Sequence, residues 1–193
     1  MSVAAIEPES STNGLLRAWR ELDVPDGWRA EIIGEGISLM PPPEGKHNRI
    51  ADLIQRQLYR VLASDCGIYQ TLGIWIGMLD QLYVPDLVVM PVDLLDDGED
   101  PYPADAALLV VEVTSKGNAD TDRKTKLWGY AHAPVPLYLL VDRWSADGPS
   151  VTLYSEPSSG RYRSMVRVPF GKPIPLPEPF GLDLATDEFP AGD

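Results

Sequence analysis

The chain has 193 residues with 29 acidic and 16 basic side chains, a formal charge of −13, which argues against a broad basic face for gripping nucleic-acid backbones. That length fits one domain able to bury a sizeable core, and a single cysteine, Cys66, excludes an internal disulfide framework or a thiolate zinc site. No apolar run approaches the ~20 residues of a membrane span, and the polar, acidic start is unlike a signal peptide, so the expected location is the cytoplasm.

Residues 1–13, rich in Ser, Glu and Pro, read as disordered. A domain is expected over residues 14–177, followed by an acidic tail over 178–193. The stretch LLRAWRELD predicts a short amphipathic helix that stops before Pro25. WRAEIIGEGISLMP has two β-prone arms around Gly34-Glu35-Gly36 and predicts a hairpin, which the prolines Pro41 to Pro43 end. From His47, Ile50, Leu53, Ile54, Leu58, Val61 and Leu62 fall on one helical face.

Strand-like runs follow at TLGIWIGML, YVPDLVVMP and ALLVVEVTS, the last two apolar enough for sheet centres. The acid-rich stretch 93–105 between them reads as solvated loop. A helix is expected over residues 119–132, then a buried strand at PLYLLVDRW. Because a helix joins ALLVVEVTS to PLYLLVDRW, those two strands should run parallel. VTLYSE and RYRSMVRV predict a hairpin turning at Ser158-Ser159-Gly160, while PFGKPIPLPEPFGLDL holds too much proline for regular structure. The tryptophans, Trp75, Trp128 and Trp144 among them, are expected in the core.

Two acids interrupt these apolar runs: Asp86 at the head of one and Glu112 inside the next. A carboxylate among Val and Leu is costly unless a cation or donors compensate it, so two neighbouring intrusions point to a shared metal. Plainer readings exist for each: Asp86 as a strand terminator after Pro85, and Glu112 in a structural ion pair with Lys126.

The ordered set Pro85-Asp86, Glu112-Val113-Thr114-Ser115, Asp122, Lys126, Tyr130, Val135-Pro136-Leu137-Tyr138 and Val141-Asp142, with AEIIGEGISLMPPP and His47 upstream, resembles a bacterial restriction-endonuclease-like family of the PD-(D/E)XK nuclease superfamily. The resemblance covers roughly residues 15–170. It implies an α/β restriction-endonuclease-like core, a mixed β-sheet flanked by helices with an N-terminal hairpin, acting as a metal-dependent DNA endonuclease. Asp86 and Glu112 would bind Mg²⁺ or Mn²⁺, with the Val113 carbonyl as a further ligand. Thr114 stands where the superfamily lysine is expected; Lys126, on the following helix, matches the relocated lysine of the resembled family and would assist the attacking water, with Lys124 as second choice. His47, Glu31, Asp122 and Tyr130 are supporting candidates, and a homodimer pairing two sites across a duplex is expected. For His47 a surface or capping role, and for Glu31 an exposed hairpin position, are the plainer alternatives. Two competing functions stay open: a non-catalytic binding or regulatory module on the same fold, and a metal-dependent hydrolase of a small phosphorylated substrate.

Overall fold

The computed structural model describes residues 11–192. The disorder expected for residues 1–10 therefore lies outside the described residues, whereas 11–13 open the first helix, α1 (Ser11–Glu21). The predicted hairpin forms as β1 (Arg29–Ile33) and β2 (Gly36–Met40), paired from Arg29↔Met40 to Ile33↔Gly36. Gly34 takes the left-handed turn at φ +62.

Helix α2 (Gly45–Leu58) stops earlier than its apolar periodicity suggests, so Leu62 lies beyond it and Val61 is 36% exposed. There follow β3 (Cys66–Tyr69), β4 (Ile74–Ile76), β5 (Gln81–Tyr83) and β6 (Leu87–Pro91). The single run expected over YVPDLVVMP is thus two strands in two different sheets. Pro85 has no N–H to offer a ladder and marks the break. The acid-rich stretch is partly ordered, as α3 (Asp93–Asp97), β7 (Tyr102–Pro103) and a 3₁₀ turn over Ala104–Ala106.

A six-stranded sheet in the order β11-β10-β9-β8-β6-β3 forms the centre, built on β8 (Leu109–Val113), β9 (Leu137–Asp142), β10 (Ser150–Ser158) and β11 (Arg161–Pro169). β8 and β9 are parallel, as their helical connection requires. Both faces are covered, which explains the nearly unbroken apolar runs of β6, β8 and β9. On one face Leu87, Val111 and Leu139 meet Ile50, Ile54 and Leu58 of α2. On the other, Val88, Val110 and Tyr138 meet Ile74, Ile76 and Tyr83 of a smaller sheet, ordered β2-β1-β5-β4-β7, together with Tyr130 of α4 (Leu127–His132).

The proline-rich end corrects the expectation of irregular chain. β12 (Ile174–Leu176) and β13 (Leu182–Leu184) pair as a hairpin, and Ile174, Leu176, Phe180, Leu184 and Phe189 pack into the α2-side core. Two tryptophans also depart from the core placement expected of them: Trp28 is 40% and Trp128 46% exposed. No helix among the described residues is long and apolar enough to cross a membrane. Leu184→Ala is expected to lower unfolding free energy by about 2–5 kcal/mol in urea titration, the cost of a buried cavity; a negligible change would mean that the hairpin contributes nothing to the core.

Candidate active site

Asp86 lies immediately before β6, and Glu112 is the fourth residue of β8. The antiparallel register Leu87↔Val111, continued by one residue, sets the two acids opposite each other. Directly opposed residues share a face, and Glu112 meets Tyr130 and Lys126 there, so this is the face covered by the helix after β8. That helix passes through a π-helical turn over Thr121–Lys126 before continuing as α4. Asp122, Lys126 and Tyr130, spaced four residues apart, are all buried.

Lys126 holds the cluster together. Its ammonium donates to Glu31 Oε1 at 2.8 Å and Glu112 Oε1 at 2.9 Å, and lies 3.8 Å from Asp122 Oδ1. Tyr130 donates its hydroxyl to the same Glu112 oxygen at 2.5 Å. Glu31 Oε1 also accepts the Val84 N–H at 2.7 Å, and so ties β1 to the chain entering β6.

Asp86 is held separately. Arg29 Nη1 donates to Oδ1 at 2.9 Å, while Oδ2 faces His47 Nε2 at 3.0 Å and accepts the Val113 N–H at 2.8 Å. His47, in the first turn of α2, is thus a buried partner of the acid, not surface or capping decoration. Glu31 is likewise buried, at 1% exposure, where an exposed hairpin residue was the plainer expectation. Lys124 points away, 73% exposed and paired with Asp120.

Three further cations of this part of the chain have partners of their own. Arg123 grips Asp142 through two bonds of 2.8 Å, Arg143 pairs with Glu44, and Lys116 lies over the Trp144 ring. The sequence reading missed Arg29, although Arg29 and Glu31 two residues apart on β1 share one face, the available signal.

Acidic groups outnumber permanent cations in this cluster: Glu31, Asp86, Glu112 and Asp122 face Arg29 and Lys126. Burial drives the Glu112 carboxyl up to about 7, with Lys126 opposing and Asp86 and Glu31 adding to the rise. Burial also lifts Asp122 far above its ordinary range. At Asp86 burial acts upward too, but His47, Arg29 and the Val113 amide outweigh it and bring the group down to about 2. Burial alone would lower Lys126; the carboxylates of Glu112, Glu31 and Asp122 overcome it and keep the ammonium charged.

Glu31 Oε2 and both Asp122 oxygens are buried without a hydrogen-bond partner. An excess of buried carboxylate with unpartnered oxygens suits a bound divalent cation. Among the described residues no group of three or more His, Cys, Asp or Glu side chains is arranged to hold a metal unaided. A metal at Asp86 and Glu112 would therefore need backbone or solvent oxygens, and would compete with Arg29 and His47 for Asp86.

Residues 16–187 match the Uma2 family, described as "Putative restriction endonuclease". The chain belongs to that family. The Uma2 chain also shares its fold with "a putative nuclease belonging to DUF820" from Anabaena variabilis ATCC 29413, at TM-score 0.69 and 19% identity, covering 91% of this chain and 96% of that one. No curated protein matches.

Two outcomes follow from the cluster. Lys126→Met, which leaves buried carboxylates uncompensated, should cost about 3–5 kcal/mol, whereas Lys124→Ala should leave the thermal melt unchanged; equal effects would remove Lys126 from its central position. In chelator, folded Glu112 keeps a proton from pH 4.5 up to about 7 that the unfolded chain has released. Stability should therefore fall as pH rises through that window. Asp86 acts oppositely, its contribution being lost as pH falls below 3.8 toward about 2. Urea midpoints across pH check this, and Glu112→Gln should flatten the slope above pH 4.5.

Proposed function

We propose that this Uma2 protein is a divalent-metal-dependent nuclease that hydrolyses DNA phosphodiester bonds. The supporting observation is the opposition of Asp86, at the entry to β6, and Glu112 on β8, with the Lys126 ammonium 2.9 Å from Glu112. In this reading Asp86, Glu112 and the Val113 carbonyl hold Mg²⁺ or Mn²⁺. A metal bound there supplies Lewis acidity and lowers the pKa of an attacking water.

The protein's own groups do the rest. Lys126 stays protonated among its carboxylates, and its ammonium orients the water and offsets charge developing on the phosphate. Tyr130 and Lys126 fix the Glu112 carboxylate by two bonds to one oxygen. Asp86 stays ionised at neutral pH because His47, Arg29 and the Val113 amide favour its charge. Glu31 positions Lys126, and buried Asp122 lies 3.8 Å from the same ammonium. Lys124 is left outside the site. A homodimer belongs to the same proposal, with exposed Met165 and Val166 on edge strand β11 available as apolar contact residues.

A second reading, hydrolysis of a small phosphorylated substrate, draws support from the pairing of Arg123 and Arg143 with acids, which takes two cations out of reach of a DNA backbone. Nicking of supercoiled plasmid decides between them. Wild type should nick in Mg²⁺ or Mn²⁺ and stop in chelator, and Lys126→Met should be about 100-fold slower or worse. No nicking by wild type, or nicking that persists in Glu112→Gln, would contradict the DNA reading.

A further inference from the structure

Beside Arg29 a cavity of about 370 Å³ opens between α1, the start of β1 and the loop leading into β4. This size falls in the lower part of the usual range of ligand clefts, about 300–1,000 Å³. Its wall includes Trp19, Trp28, Arg29, Val84 and Asp100. Trp19 is fixed there, its indole N–H donating to the Ala30 carbonyl at 2.8 Å. Trp28 is 40% exposed and belongs to none of the three apolar clusters, so folding leaves this large aromatic surface open to water.

Arg29 is the link to the acid cluster. One nitrogen of its guanidinium bonds Asp86 and the Val84 carbonyl, while its buried Nε has no partner. The cavity is thus separated from the acid proposed to hold metal by the width of one guanidinium. An open indole, a guanidinium in the cavity wall and a rim carboxylate, Asp100, form a set suited to a nucleotide. The indole stacks a base, the guanidinium reaches a phosphate oxygen, and the carboxylate accepts from an exocyclic amine.

Overall charge narrows the form of that nucleotide. At −13 the chain is poorly equipped to bind through phosphates alone, so affinity has to come from stacking. A base inside a duplex has no free face to offer. We infer that the Trp28–Arg29 cavity takes one unpaired nucleobase of a single-stranded DNA segment, next to the phosphate presented to Asp86 and Glu112. Its placement beside a scissile phosphate rests on the nuclease reading above.

The test is fluorescence anisotropy of a labelled short oligodeoxycytidylate, with Ca²⁺ in place of Mg²⁺. Trp28→Ala should bind about tenfold more weakly, the loss of one stacked base. Trp28→Phe should keep most of the affinity, and Trp128→Ala, an equally exposed indole elsewhere, should match wild type. A duplex of the same length and free dCMP should both compete poorly. Unchanged binding by Trp28→Ala, preference for the duplex, or competition by dCMP as strong as by the strand would overturn the inference. Cleavage in Mn²⁺ separates the two claims. Trp28-dependent binding without cleavage retains the cavity and removes the nuclease; Glu112-dependent cleavage with wild-type binding by Trp28→Ala does the reverse.

Discussion

One ammonium group joins the parts of this molecule. Lys126 stands on the helix after β8 and is shared by Glu31 of the small sheet and Glu112 of the central sheet. Neither carboxylate would tolerate burial without it, and the ammonium would not tolerate burial without them. The helix must therefore come close to both sheets. Gly129 permits this approach, because a Cβ at that position would lie 2.5 Å from the Tyr83 ring. Tyr130, the next residue, then reaches Glu112.

The cluster is also where the fold departs from ordinary charge economy. Acids outside the cluster pair with nearby bases, as Asp120 does with Lys124 and Asp142 with Arg123. Within the cluster the acids outnumber the bases, and oxygens of Glu31 and Asp122 are left without hydrogen-bond partners. Stability alone does not favour such an arrangement, since a well-packed apolar group usually serves as well as a buried ion pair. The cation site and charged lysine of the proposed nuclease would account for it. Asp86 and Glu112 have opposite environments, one stabilised as the anion and the other pushed toward neutrality, so a cation would change the second far more than the first.

The positions of Asp86, Glu112 and Lys126 were legible because each breaks a pattern: acids inside apolar runs, and a lysine at helical spacing from Asp122 and Tyr130. The burial of Glu31 and His47 was not. Glu31 is 95 residues from Lys126 along the chain, and a hairpin read alone looks half exposed. His47 approaches Asp86 from the helix on the opposite face of the central sheet. Pro85 split an apparent single strand between two sheets, a consequence of topology that local propensity does not carry. At the C-terminus, prolines hid a hairpin because Pro175 sits at an exposed position while Ile174 and Leu176 on either side of it turn inward. The parallel pairing of β8 and β9 was readable, since a helical crossover leaves little choice.

Calorimetric titration of chelator-treated protein with Mn²⁺ tests the central claim most directly, that the unbalanced carboxylates form a cation site. Wild type should bind Mn²⁺, and Asp86→Asn and Glu112→Gln should each lose most of that binding while keeping a cooperative unfolding transition. Absence of binding to wild type, or equal binding by the Glu112→Gln variant, would contradict the account and leave the cluster as a structural network around Lys126.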